Sequence, residues 1–283
     1  MRTVAAPRSA RALVVGPGAR RALHDGAGGG GTVELAFGPG GYVRLGEHRV
    51  LLAPARSPLG PLSILVAGLA RGDLVPGAPA TMAGGALVVG TLRIGLAGAR
   101  EPAAPRTGRL APRWRLALAE ALEVVAPAPA AVAPGLEALA AGDVVRAVAR
   151  LAGRGDGLTP AGDDALAGYA AWRWARGAPV TLPDDDCAPL GRAYLRCAER
   201  GELAQPAAAV LAAILAGDPS AAARRARRLA DWGASSGAAL LWGMAAGAAG
   251  TERPRPAPTC SSPNPSRRGR DPRSRRAARA PRA

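Results

Sequence analysis

The spacing of apolar residues changes at about residue 105, and the two sides predict different structures. Before this point, apolar residues alternate with polar ones or form short runs, which Gly and Pro interrupt about every ten residues. Such runs are typical of β-strands, and we expect about five to seven of them in a compact sheet or barrel-like unit. The predicted strands lie within residues 32–37, 42–45, 49–53, 62–66, 86–89 and 91–94.

Beyond about residue 110, the apolar residues recur at helical spacing. Asp143 and Ser220 are suited to starting helices, and Gly142 and Gly217 stand where helices should stop. The predicted fold class is therefore α+β, with an N-terminal β-rich unit over 1–105 and a mainly helical unit over 106–250. The predicted helices span 112–125, 135–141, 143–151, 160–176, 189–200, 206–215, 220–231 and 236–249.

Two of these helices each carry a face of small residues, which would allow their axes to approach closely. If they pack together, their N-terminal ends converge. The same pattern also follows from the general abundance of alanine in this chain, and both interpretations stay open here. The small residues are Ala161, Ala165, Gly168, Ala171 and Ala175 in the first helix, and Ala239, Gly243 and Gly247 in the last.

The net charge of +16 does not by itself indicate a nucleic-acid-binding protein. Every cationic side chain is arginine, which together with abundant Ala, Gly and Pro is typical of GC-rich coding. Half of the excess lies in residues 251–283, an Arg/Pro-rich segment with almost no apolar residues, which we expect to be a disordered tail. This tail either anchors a polyanion or is a solvated extension. Because no aromatic residues alternate with the arginines, we do not expect nucleic acid as a partner.

The remaining composition excludes several classes of protein. Three cysteines without close spacing predict reduced thiols, and only His24 and His48 could serve a zinc site or a catalytic triad. No apolar run reaches the roughly 20 residues that span a bilayer. The arginines near the N-terminus are not followed by a long apolar run, so we predict no signal peptide and no membrane partner, and a cytoplasmic protein.

The most informative stretch is residues 153–164, where a Gly-rich turn leads into a helix. Three glycines at alternate positions provide a flexible backbone, and Thr159 followed by Pro160 predicts an N-cap and a first helical residue. Asp163 and Asp164 fall within the first turn and are the candidate catalytic residues. The residues predicted to bind a ligand are Gly155, Gly157, Leu158, Thr159 and Gly162, together with Ser235, Ser236 and Gly237 at the start of the last helix.

The chemistry of this stretch leaves three interpretations open. Backbone N–H groups at a helix N-terminus favour anions, whereas Asp163 and Asp164 repel them. A Mg²⁺ ion held by both carboxylates would resolve this conflict, and magnesium is therefore a candidate cofactor. A ligand with an amide end facing the carboxylates and an anionic end facing the backbone would resolve it as well. In the third interpretation, both aspartates only stabilise the helix dipole, by about 0.3–1 kcal/mol each.

The segment Gly155–Asp164 resembles the hallmark of the AllH family of oxamate carbamoyltransferase subunits, Gly-Leu-Thr-Pro-Ser-Gly-Asp-Asp at a helix start. Weaker resemblances lie at Tyr194–Glu202 and Trp232–Gly237. Ala161 replaces the usual serine of the first motif, and Ala234 stands where histidine is common. The resemblance implies a small-molecule ligand and a role in carbamoyl transfer between carbamoyl phosphate and oxamate, within purine/allantoin catabolism.

The resemblance also implies companion carbamoyltransferase subunits, since the AllH-like chain is one of several subunits. It therefore leaves two alternatives open. This chain is either the carbamoyltransferase subunit that carries out catalysis, or a non-catalytic structural subunit whose loop holds a partner. Binding of a polyanion through the basic tail is a further alternative.

Overall fold

Strands of the N-terminal part close into a barrel in the computed structural model, which describes residues 8–103 and 108–250. In this part of the chain the ring has eight strands, in the order β1-β5-β4-β3-β2-β6-β7-β8. The pairs β1–β8 and β4–β5 are parallel and the others are antiparallel. The strands are β1 (Arg8–Val15), β2 (Gly31–Phe37), β3 (Gly40–Leu45), β4 (His48–Pro54), β5 (Ser63–Ala67), β6 (Pro79–Ala83), β7 (Ala86–Val89) and β8 (Leu92–Gly95).

The predicted fold class, α+β with a β-rich unit of five to seven strands, is wrong in its N-terminal part, which is a closed eight-stranded barrel. β1 is absent from the predicted strands because its first half contains the exposed Arg8 and Arg11. β6 was missed because it begins with a proline and buries mainly Ala80, whose small side chain adds little to an apolar pattern. Closure itself depends on β1 pairing with β8, which a local pattern does not reveal.

A short helix, α1 (Pro17–Asp25), lies between β1 and β2 and was also missed. Gly16-Pro17-Gly18 looks like an interruption in sequence. In the structure Pro17 takes the first helical position, where its missing N–H costs nothing. α1 buries Ala19, Ala22 and Leu23 against the barrel core. That core includes Val43, Leu45, Val50, Leu52, Ile64, Val66, Leu87 and Ile94.

The C-terminal part is helical, and all of the predicted helices in it are confirmed, with ends that differ by at most three residues. Their capping residues and closing glycines were informative; Asp143, for example, accepts a hydrogen bond from the backbone N–H of Arg146. The helices are α2 (Trp114–Leu122), α3 (Ala133–Ala141), α4 (Val144–Leu151), α5 (Ala161–Ala175), α6 (Pro189–Ala198), α7 (Gln205–Leu215), α8 (Pro219–Ala230) and α9 (Ser236–Gly250).

α5 and α9 pack in close contact through their small residues. A Cβ on Gly168 would overlap the carbonyl oxygen of Leu240, and one on Gly243 would overlap the carbonyl oxygen of Ala165. Of the two interpretations that the sequence left open, the structure therefore favours packing between the two small faces. As a consequence, the starts of both helices lie side by side.

α6 joins the helices to the barrel. Leu190 and Cys197 of α6 pack against Leu62, which precedes β5. The Arg21 guanidinium of α1 pairs with Glu202, which follows α6, with Nη1 2.7 Å from Oε1. The barrel and the helices thus share an interface at which side chains from both parts meet.

The predicted division at residue 105 stays a prediction. The predicted disordered tail, residues 251–283, lies outside the described residues. No helix in the described part of the chain is both long and apolar enough to cross a membrane.

Candidate functional site

A small cavity of about 80 Å³ lies where the barrel meets the helices. At about 30 Å³ per water molecule, its volume suits a chemical group of a few heavy atoms. One wall comes from the barrel and the others from the loop before α5, from α6 and the turn after it, and from the start of α9. The cavity is lined by Tyr42, Pro61, Thr159, Asp164, Ala167, Tyr194, Ala198, Glu202, Leu203, Ala204, Trp232, Ser236 and Leu240.

Asp164 lines this cavity and has one carboxylate oxygen without a partner among the described residues. Its side chain lies in the first turn of α5 and the residue is only 5% exposed. Oδ2 is buried and has no hydrogen-bond partner among the described residues. Because a buried polar atom without a partner is costly, this oxygen is suited to accept a hydrogen bond from a ligand or a water molecule.

Burial raises the pKa of Asp164 from 3.8 to about 7, because it penalises the charged form of the carboxyl group. Hydrogen bonding by the Ser236 and Thr159 hydroxyls lowers this pKa, and the charge of Asp163 raises it. The carboxyl group is therefore able to take or release a proton near neutral pH.

Asp163 has a different environment, although it is the next residue in the chain. It is fully buried, and both of its oxygens accept backbone hydrogen bonds: Oδ1 from Gly153 N at 2.7 Å and Oδ2 from Ala188 N at 2.9 Å. Successive helical residues point about 100° apart, so the two carboxylates face different neighbours. Asp163 fastens the Gly-rich loop and the start of α6 to α5, which is a structural role.

The predicted cap at the start of α5 is wrong in its details. Pro160, and not Thr159, is the N-cap residue, and no side chain caps the helix. The Thr159 hydroxyl instead lies 3.1 Å from the Ser236 hydroxyl of α9. The helix end is closed by the loop itself, since Gly162 N donates to the carbonyl oxygen of Arg154 at 2.8 Å.

The Gly-rich loop lies outside the cavity. Gly155 and Gly157 are exposed and adopt positive φ angles of 114° and 94°, and Leu158 is 53% exposed. Gly162 packs against the carbonyl oxygen of Leu151, so its lack of a side chain serves helix packing. These four predicted ligand-binding residues are therefore not part of the cavity wall.

Of the three predicted ligand-binding residues at the start of α9, Ser236 lines the cavity. Thr159, from the loop before α5, lines it as well. Ser235 starts the helix, its carbonyl oxygen accepting from Ala239 N at 2.9 Å. Gly237 packs against the carbonyl oxygen of Leu229. The structure thus brings together Thr159, Asp164 and Ser236 from the predicted set.

Two tyrosines of the cavity were missed in the sequence. Tyr42 on β3 and Tyr194 on α6 meet across the junction, with their hydroxyl oxygens 3.1 Å apart. Burial raises the pKa of Tyr42, and it raises that of Tyr194 well above its usual value, so both hydroxyls keep their protons at neutral pH. Tyr194 begins one of the weaker family-like segments, whereas nothing near Tyr42 distinguishes it from an ordinary strand residue.

The predicted magnesium site is not apparent in the arrangement of the carboxylates. Both oxygens of Asp163 accept backbone hydrogen bonds, which leaves one unpartnered oxygen in the pair, Oδ2 of Asp164. Residues 8–103 and 108–250 contain no cluster of three or more His, Cys, Asp or Glu side chains placed to hold a metal ion. Magnesium stays a prediction, and the chemistry discussed below does not depend on it.

A larger cleft adjoins the cavity along the same seam between barrel and helices. Its volume is about 570 Å³, and it shares Pro61, Glu202 and Leu203 with the smaller cavity. Arg100 contributes a cationic side chain to its wall and Gln205 an amide. A molecule that places one end beside Asp164 therefore has room for its remainder in this cleft.

Comparison with known proteins supports the motif-based resemblance. Neither a curated protein nor a solved structure matches the chain. One family model matches residues 151–248, from the last residue of α4 into α9. That family is described as oxamate carbamoyltransferase subunit AllH, and over this segment, which contains Asp164 and Ser236, the chain is AllH-like.

Proposed function

We propose that this protein is a subunit of an oxamate carbamoyltransferase-type enzyme and binds a small carbamoyl- or carboxylate-bearing ligand at the junction between barrel and helices. The unpartnered Oδ2 of Asp164 in the cavity is the observation that carries the proposal. The AllH-like segment supports it, because that segment contributes the greater part of the cavity wall.

The polarity of the site matches such a ligand. The Asp164 carboxylate accepts a hydrogen bond from an amide N–H group of the ligand. The hydroxyls of Thr159 and Ser236 help to fix the orientation of this carboxylate. Oxamate and carbamoyl phosphate each join an amide end to an anionic end. The cavity of about 80 Å³ holds one end, and the adjoining cleft, with Arg100 in its wall, holds the other.

This assignment moves the ligand from the exposed glycines to the buried side of the α5 start. The loop glycines shape the turn that allows Thr159 and Asp164 to face the cavity. We assign ligand binding to Asp164, with Thr159 and Ser236 orienting its carboxylate, and we assign Asp163 to holding the loop in place.

Titration calorimetry with the purified full chain tests this proposal. Oxamate and carbamoyl phosphate are titrated separately, with and without Mg²⁺, into the native protein and into Asp164→Asn. Asp156→Asn is the matched control, because Asp156 is an exposed carboxylate in the same loop. We expect binding to the native protein and to Asp156→Asn, and a loss of at least about tenfold in Asp164→Asn. Absence of binding to the native protein in every condition, or equal affinity in Asp164→Asn, contradicts the proposal.

A further inference from the structure

Four hydroxyl groups line the cavity, and their hydrogen bonds can be counted. They form two pairs, Tyr42 with Tyr194 and Thr159 with Ser236, each with its oxygens 3.1 Å apart. A hydroxyl has one hydrogen to donate, so a pair that bonds to itself uses one hydrogen and keeps a second. The direction in which each second hydrogen points determines what the cavity can bind.

The hydroxyls of Thr159 and Ser236 use their hydrogens within the protein. Their oxygens lie 3.1 Å apart, so one of their two hydrogens lies in the bond between them. The other is donated to the Asp164 carboxyl group, and this hydrogen bonding lowers the pKa of Asp164. This pair therefore fixes the orientation of the carboxylate and offers no spare donor to a ligand.

The tyrosine pair is different. One of its hydrogens lies in the bond between Tyr42 and Tyr194, and no other partner of either hydroxyl is found in the described part of the chain. One tyrosine O–H is thus left as a donor in the same cavity in which Asp164 Oδ2 is left as an acceptor. The two groups are complementary and come from different elements, the tyrosines from β3 and α6 and the aspartate from α5.

We infer that this cavity selects an uncharged primary amide, the carbamoyl end of the ligand, with the Tyr42–Tyr194 pair donating to the amide oxygen and Asp164 Oδ2 accepting an amide N–H. The inference deepens the proposed function and rests on it for the identity of the full ligand. A primary amide supplies one acceptor and an N–H donor on neighbouring atoms, and it fits a cavity of about 80 Å³.

The same geometry disfavours the carboxylate analogue of the amide. An ionised carboxylate has no hydrogen for Asp164 Oδ2 and brings a second negative charge next to it. The carboxylate end of oxamate is therefore directed away from Asp164. Asp164 accordingly determines which end of the ligand enters, and Tyr42 and Tyr194 bind the oxygen of that end.

Matched pairs of small probes test this inference at about pH 8. Acetamide is compared with acetate, and oxamate with oxalate, by ligand-observed NMR titration of the full chain. We expect each amide to bind at least about tenfold more tightly than its carboxylate partner, because a site built around an N–H donor rejects an analogue without one. Equal binding within either pair overturns the inference.

Tyrosine variants locate the donor. Removing one hydroxyl frees the hydrogen of the other, so Tyr42→Phe and Tyr194→Phe are each expected to retain part of the acetamide affinity. The double variant leaves no tyrosine donor for the amide oxygen and is expected to bind acetamide at least about tenfold more weakly. Tyr169→Phe is the control, because the Tyr169 hydroxyl accepts from Arg173 and lies outside the cavity wall. Thermal melting confirms that each variant is folded.

The outcomes separate this inference from the proposed function. If oxamate binds and Asp164→Asn abolishes binding, but the double tyrosine variant binds acetamide as tightly as the native protein, the proposed function stands and the inference fails. If oxamate does not bind, but acetamide binds in a tyrosine-dependent way, the inference stands and the proposed function fails. If no amide binds to the native protein, both fail.

Discussion

At the scale of residues, two adjacent aspartates have separate tasks. Their sequence shows a pair of acids at a helix start, which predicts a shared site. The structure shows that Asp163 is satisfied by the N–H groups of Gly153 and Ala188, whereas Asp164 keeps one oxygen without a partner among the described residues. The sequence could not reveal this difference, because it depends on where α6 and the Gly-rich loop lie around α5.

Replacing Asp163 with Asn is expected to destabilise the fold by about 1–3 kcal/mol, because an amide has one acceptor oxygen for two buried donors. Urea unfolding followed by circular dichroism measures the change. Asp156→Asn serves as the control and is expected to change stability by less than about 0.5 kcal/mol, as surface substitutions usually do. Equal stabilities for the two variants would contradict the structural role of Asp163.

Asp164 makes stability depend on pH in a definite direction. Its pKa of about 7 in the folded protein lies above the ordinary value of 3.8, so the folded state binds more protons than the unfolded state between these values. This contribution to stability is complete below about pH 4, falls as pH rises towards 7 and is absent above it. The groups that face Asp164 across the cavity are Tyr42, Tyr194 and Glu202, with Asp163 next to it on α5.

The free energy of unfolding of the native protein should therefore fall relative to that of Asp164→Asn as pH rises from about 4 to about 8, by up to about 4 kcal/mol for a shift of about three pKa units. Parallel urea titrations of both proteins across this range measure the difference, so that other titrating groups cancel. A difference that stays constant with pH would show that the Asp164 carboxyl group titrates normally.

At the scale of elements, the helices were more predictable than the barrel. A helix shows its periodicity, its caps and its closing glycines within its own sequence, and all of the helices predicted after residue 110 are present. Barrel closure is non-local, since it requires β1 to pair with β8 and β5 with β1. α1 and β6 were missed because their local patterns are short and rich in Gly, Pro or Ala.

The contact between α5 and α9 places Thr159 beside Ser236, so its geometry matters for the site. Gly168→Ala would bring a methyl group against the carbonyl oxygen of Leu240 and force the helices apart. We expect a destabilisation of about 1–3 kcal/mol, as for other overpacked interiors, together with weaker ligand binding. Thermal melting and calorimetry measure both effects.

Gly30→Ala is the control for this variant, because Gly30 has open space around its Cα and does not adopt a positive φ angle. It should retain native melting and native ligand affinity. If Gly168→Ala behaved in the same way, the close approach of α5 and α9 would not be needed for the site.

At the scale of the whole molecule, the candidate site exists because the barrel and the helices meet. The barrel contributes Tyr42, and the helices contribute Tyr194, Asp164 and Ser236. The resemblance around Gly155–Asp164 led to the region that lines the cavity and, over residues 151–248, to an AllH-like family. It did not reveal that the cavity lies on the buried side of α5, since the barrel wall is formed by residues far away in sequence.

The most direct test of this account is a crystal structure of the full chain soaked with oxamate. We predict electron density for the ligand at the junction, with its amide nitrogen within hydrogen-bonding distance of Asp164 Oδ2 and its amide oxygen facing the Tyr42–Tyr194 pair. Density that lies instead at the exposed glycines Gly155 and Gly157, or that places the carboxylate end against Asp164, would contradict it.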